Sequence, residues 1–128
     1  MKVQESAENY LETILILSRS HPSGVRSIDI ANEMDFTKPS VSVAMKKLRQ
    51  SELIDVDDNG FITLTPSGSE IAVRMYERHE FVSKFLIAIG VTPDVAVNDA
   101  CRIEHVLSSE SFEKLKIFVN NHLDELPS

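Results

Sequence analysis

A second cysteine, a long apolar run and an excess of positive charge are all missing from this chain, and each absence removes a class of protein. With Cys101 the lone cysteine among 128 residues, no internal disulfide can form. Its sulfur is left to act as a small buried hydrophobe, an intermolecular bridge or a metal ligand, and a reducing compartment disfavours the bridge. No apolar stretch approaches the roughly 18–20 residues of a membrane span, and Met1-Lys2-Val3-Gln4-Glu5 has neither the apolar segment nor the cleavage site of a signal peptide. A soluble, cytoplasmic protein with no membrane partner is therefore expected. There is no internal repeat and no low-complexity segment, and Leu123–Ser128 carries no clear pattern. The 42% hydrophobic content suffices for a core in one or two small domains.

The formal charge of −7 argues at first against a nucleic-acid binder, whose affinity comes largely from cations that neutralise phosphates. Distribution reverses that reading. Between Lys38 and Gln50 stand Lys38, Lys46, Lys47 and Arg49 with no acidic residue, and Arg26 lies shortly upstream, while most of the acidity follows Glu52. An acidic body behind a basic face keeps nonspecific DNA affinity low and suits a protein that collects a divalent cation.

The apolar periodicity predicts a first helix from Ser6 to about Ser20 on Ala7, Tyr10, Leu11, Ile14, Leu15 and Leu17, with Ser6 as N-cap. After the break His21-Pro22-Ser23-Gly24, Ser27 is expected to cap a short helix bearing Ile28, Ile30, Ala31 and Met34. Asp35-Phe36-Thr37 then turns the chain into a third helix that tolerates Pro39 in its first turn and carries Val41, Ala44, Met45 and Leu48. Two helices about a tight turn, the second opening on small polar and basic residues, make a helix-turn-helix. Alternating apolar residues on either side of Asp58-Asn59-Gly60 predict a hairpin whose turn uses positive backbone angles at Asn and Gly. A hairpin directly after a helix-turn-helix is a wing. A long helix follows from Pro66 to about Ile89, ended by Gly90; Thr92-Pro93 starts another, and Ser109 is expected to cap the last.

On the helix after Pro93, Cys101, Glu104 and His105 share one face, presenting a thiolate, a carboxylate and an imidazole together. His79 lies on the preceding long helix, which the short Gly90–Pro93 connection folds back against this one. Asn9 and Glu12 share a face of the first helix. Taken singly, each has an ordinary explanation: a helix histidine, a core cysteine, solvated glutamates. Together they form a mixed hard and soft ligand set suited to a transition metal. His21 and His122 belong to no such pattern and are read as surface residues.

These motifs carry a resemblance. Ser6-Ala7-Glu8-Asn9-Tyr10-Leu11-Glu12, Thr37-Lys38-Pro39-Ser40-Val41-Ser42, Leu64-Thr65-Pro66-Ser67-Gly68, Tyr76-Glu77-Arg78-His79-Glu80 and Asp99-Ala100-Cys101-Arg102-Ile103-Glu104-His105-Val106-Leu107-Ser108 are similar, in order and spacing, to the diphtheria-toxin repressor and manganese-transport regulator family of metal-dependent bacterial repressors. The resemblance implies a mainly α protein: an N-terminal winged helix-turn-helix with a two-stranded wing over residues 1–70, then a helical metal-binding and dimerisation domain over 71–128. It also implies a homodimer that, loaded with Fe(II) or Mn(II), binds palindromic operator DNA and represses metal-uptake genes, with Zn(II), Co(II) or Ni(II) able to substitute in vitro. The implied ligands are Glu12, His79, Cys101, Glu104 and His105, with Asn9 a weaker one. Manganese-type members carry an acidic residue at the position of Asn9 and a glutamate at that of Cys101, whereas iron-type members share the cysteine but not Glu12. Ser83 and Val97 replace a carboxylate and a histidine of the iron-type ancillary site, and a third, SH3-like domain is not expected.

For DNA, Lys38, Ser40, Ser42 and Lys47 suit phosphates and base edges, Pro39 and Val43 suit thymine methyl groups, and Thr37 and Arg26 flank them. An enzyme is not expected, because a ligand-filled shell leaves little open coordination and no small-molecule substrate pocket is evident. The competing reading is a metal-independent winged-helix regulator sensing redox state through Cys101, or a small molecule.

Overall fold

The computed structural model describes residues 5–122. In chain order they form α1 (Glu5–Ser20), α2 (Ser27–Met34), α3 (Lys38–Gln50), β1 (Ile54–Val56), β2 (Ile62–Leu64), α4 (Pro66–Ala88), α5 (Pro93–Val106) and α6 (Ser109–Asn121). The chain divides into two compact units between Arg74 and Met75, within α4. No helix among the described residues is long and apolar enough to cross a membrane.

In the first unit, α1 buries Tyr10, Leu11, Ile14 and Leu17, α2 buries Ile30 and Ala31, and α3 buries Val41, Met45 and Leu48. The three- and four-residue steps of these positions put them on one stripe of each helix, and Val25, Ile54, Ile62 and Ala72 close the same core. Truncating a side chain such as Leu11 or Ile30 to alanine in a core of this kind costs about 2–5 kcal/mol. Tyr10 meets Phe36 edge to face at 6.0 Å, which ties the α2–α3 turn to α1, and burial raises the Tyr10 phenol above its ordinary range. The turn itself closes where Asp35 takes a left-handed conformation (φ 55°) and Phe36 N–H bonds Ala31 C=O.

The wing is antiparallel, pairing Ile54 with Leu64, Asp55 with Thr63 and Val56 with Ile62. Its turn differs from the expectation. Among described non-glycine residues only Asp35 and Glu52 have positive φ, so Asn59 does not, and Gly60 alone takes the left-handed angle at φ 84°. Gly60 N–H bonds Asp57 C=O, and the Asp57 carboxylate accepts from the backbone N–H groups of Asn59 and Phe61, both at 2.9 Å. The loop is thus a three-residue turn with one glycine angle, built around an aspartate. Val25 adds an isolated bridge to Ile62, a pairing for which the sequence carried no signal.

Three helix caps also fall elsewhere than expected. Ser6 lies inside α1. The cap position of α2 is Arg26, whose N–H bonds the Asp29 carboxylate at 2.9 Å, and Ser27 is the first helical residue. For α6 the cap is Ser108, which accepts from Ser111 N–H, and Ser109 follows it. Serine serves both at the cap and in the first turn, so composition alone locates such a start only to within a residue.

In the second unit, α4 contributes buried Met75 and Val82, α5 Ala96 and Ala100, and α6 Phe112 and Val119. Phe81 and Phe112 pack edge to face at 5.5 Å. Gly90 (φ 108°) caps α4, with Val91 N–H returning to Leu86 C=O, and Thr92-Pro93 restarts the chain as α5. Ile28, counted in the apolar pattern of its helix, is exposed.

Candidate functional site

The turn Leu86–Pro93 returns the chain, and ligand-type side chains of α4 and α5 meet. His79 Nδ1 lies 3.1 Å from Glu104 Oε2, and Cys101 Sγ lies 3.8 Å from the same nitrogen. His105 Nε2 is 3.4 Å from Glu104 Oε1. Spacing on α5 explains the grouping: 101 and 104 lie one turn apart and both reach His79, and 105 follows beside Glu104. Glu104 has a relative exposure of 0%, while Cys101 is exposed at the edge of the cluster.

A fully buried carboxylate normally has every oxygen satisfied, because leaving one unmatched costs on the order of 1–3 kcal/mol. Glu104 Oε1 has no hydrogen-bond partner, although an imidazole nitrogen lies close by. The His79 imidazole and a buried carboxylate with an unmatched oxygen are donor types that suit a divalent transition metal, with Cys101 beside the imidazole and His105 beside the carboxylate. Within the second unit His79 and Glu104 thus form a close pair, while Cys101 reaches only the His79 nitrogen and His105 only Glu104 Oε1.

In the first unit, Glu12 lies on α1 with 8% exposure, and Asn9, one turn earlier, is half-buried, its main-chain carbonyl accepting from the Thr13 hydroxyl at 2.8 Å. Ser83, the counterpart of an ancillary ligand, is buried with an unbonded hydroxyl, and Val97 is exposed.

The candidate DNA face lies on α3. While Val41, Met45 and Leu48 bury one stripe, Lys38, Pro39, Ser40, Ser42, Val43 and Lys47 are all exposed on the others. Thr37 is exposed too, but its hydroxyl is engaged: it accepts from Ser40 N–H and donates to Ser40 Oγ at 2.8 Å, capping the helix. Arg26 is exposed with its guanidinium 4.3 Å from the centroid of Phe61, so it braces the wing as well as carrying charge. Of the wing aspartates, Asp57 is committed to the turn.

Sequence reasoning passed over Arg78. Its relative exposure is 5%, and it bonds the α5–α6 corner through Glu104 C=O, Leu107 C=O and Ser109 Oγ. The available signal was its place beside His79, which does not separate a buried arginine from a solvated one. His21 and His122 are also engaged locally, with Nδ1 atoms 3.0 Å from Leu17 C=O and 2.7 Å from Phe118 C=O respectively.

Comparison with known proteins agrees with this geometry. Residues 2–60 match the iron dependent repressor N-terminal DNA binding domain, and residues 65–125 match the iron dependent repressor metal binding and dimerisation domain. The chain is 34% identical over 124 residues to the HTH-type transcriptional regulator MntR of Listeria monocytogenes, covering 94% of this chain and 87% of that protein. It is 31% identical over 119 residues to the transcriptional regulator MntR of Escherichia coli, covering 93% and 76%. The solved structure of the manganese regulator SloR superposes with a TM-score of 0.78 at 30% identity, over 94% of this chain but only 55% of that one.

Proposed function

The chain belongs to the diphtheria-toxin repressor and manganese-transport regulator family, and from that premise we propose that it is a metal-dependent transcriptional repressor. It binds palindromic operator DNA as a homodimer in the cytoplasm, represses genes for Fe(II) or Mn(II) uptake, and catalyses no reaction. The observation that carries this reading is the buried Glu104 carboxylate, unmatched at Oε1 and flanked by His79 and His105, in a chain whose other unit is a winged helix-turn-helix.

A bound divalent cation supplies positive charge to a group of acidic and soft donors. His79, Cys101, Glu104 and His105 would donate from the second unit, and Glu12, with Asn9 as a weaker neutral oxygen, would donate from α1. Sharing these ligands would make the orientation of α3 conditional on metal, so that the two recognition helices of the dimer match their half-sites in the loaded state. Without metal that orientation would not be held. Lys38, Ser40, Ser42 and Lys47 reach phosphates and base edges, Pro39 and Val43 reach thymine methyl groups, Thr37 sets the start of the helix, and Arg26 supports the wing near the backbone. Exposed apolar side chains in the second unit, among them Val106 at 77% and Phe118 at 60%, support association of two copies.

The test is a titration of chelator-treated protein with Mn(II), Fe(II), Co(II) and Zn(II), read by operator binding. Glu12→Ala is expected to lose the metal response while its circular dichroism matches the wild type. A response that persists undiminished in Glu12→Ala removes Glu12 from the ligand set, and no response to any metal refutes the reading.

A further inference from the structure

The last turn of an α-helix leaves carbonyls without partners inside the helix, and these gather partial negative charge. In α5 the Ile103 carbonyl is taken by Leu107 N–H, but Glu104 C=O, the next in line, needs a donor from outside. Arg78 Nη1 supplies it at 3.0 Å and also bonds Leu107 C=O at 2.7 Å. Arg78 Nη2 lies 3.4 Å from Ser109 Oγ, at the start of α6, and the guanidinium carbon lies 5.2 Å from the Phe112 ring centroid. Arg78 directly precedes His79, whose imidazole holds the Glu104 carboxylate. Consecutive residues of α4 therefore grip Glu104 from both ends, Arg78 by the main chain and His79 by the side chain.

We propose that Arg78 is a positioning residue for the metal site, fixing the ligand-bearing end of α5 so that Glu104 and His105 are held in register with His79 before metal arrives. A guanidinium has the planar fork that serves two carbonyls at once, at little entropic cost once it is packed. Without it, the last turn of α5 is free to fray, and the same turn carries two of the proposed ligands. The proposal rests on the reading of His79, Cys101, Glu104 and His105 as ligands. Losing an outer group that orients metal ligands typically weakens affinity by roughly 10–100-fold.

The test is direct Mn(II) and Co(II) binding by calorimetry to the full-length wild type, Arg78→Gln and Arg78→Lys, at a temperature where circular dichroism shows each protein folded. The expected result is a loss on the order of 10–100-fold for Arg78→Gln, with Arg78→Lys between it and the wild type, because one ammonium can still reach a carbonyl. Affinities within twofold of wild type in folded variants, whatever the change in melting temperature, would reduce Arg78 to a purely structural residue and overturn the proposal. Should Arg78→Gln fail to fold, Arg78→Lys decides on the same criterion. A wild type that binds neither metal would instead overturn the ligand reading, and with it the proposal, a result distinct from equal affinities.

Discussion

Replacing Glu104 by glutamine should separate what the carboxylate does for folding from what it does for metal. In the metal-free protein its Oε1 is buried without a hydrogen bond, a cost of about 1–3 kcal/mol for a polar group and more for an ionised one. Glutamine keeps an acceptor for His79 Nδ1, now 3.1 Å from Oε2, and it can turn an amide donor toward His105 Nε2, now 3.4 Å from Oε1. Exchanging a charged acceptor for a neutral one loses about 1 kcal/mol at the His79 contact. The balance favours the variant, so metal-free Glu104→Gln should be more stable than metal-free wild type by about 1 kcal/mol. Added metal reverses the order. At 100 times its Kd a ligand stabilises the state that binds it by about 2.7 kcal/mol, and only the wild type should gain that increment. Urea denaturation of both proteins in chelator and in excess Mn(II) reads all four values. A metal-free variant less stable than wild type by more than about 1 kcal/mol, outside the range these terms allow, or a variant that gains as much from Mn(II) as the wild type, would refute the reasoning.

Two further outcomes follow from the first unit. A Cβ at Gly68 would run into the backbone carbonyl of Leu53, which cannot rotate aside, so Gly68→Ala should destabilise by about 3 kcal/mol, measurable as a lowered urea midpoint with m unchanged. Lys47, exposed on α3 and opposite its buried stripe, should contribute one phosphate contact. Lys47→Ala is expected to weaken operator binding similarly across sequences and to lower the slope of log affinity against log salt by about one; an unchanged slope would remove Lys47 from the interface.

Much of this was legible in the chain because periodicity and spacing encode it. Val41, Met45 and Leu48 mark the inner stripe of α3, and the basic residues that remain mark its outer face. Cys101, Glu104 and His105 could be grouped because three- and four-residue steps share a helix face, and the short Gly90–Pro93 connection brought His79 to them. What stayed hidden depends on three-dimensional surroundings. Asn59 was expected to share the positive angle with Gly60, but the Asp57 carboxylate bonds two turn N–H groups and leaves only Gly60 there. Ser108 and Ser109 are chemically alike, so their order at the cap of α6 is decided by a single hydrogen bond. Ile28 follows the apolar pattern of α2 yet is exposed, since periodicity names a face and not what covers it. The grip of Arg78 on Glu104 spans 26 residues and runs to a main-chain carbonyl, which no side-chain pattern records.

The central claim is that DNA binding by this chain is conditional on metal, and operator affinity measured by fluorescence anisotropy in Mn(II) or Fe(II) and again in chelator, at one fixed salt concentration, tests it most directly. Coupling between two ligands of a protein typically lies at roughly 5–150-fold, and metal is predicted to tighten operator binding within that range. Equal affinity in the two conditions would contradict the account.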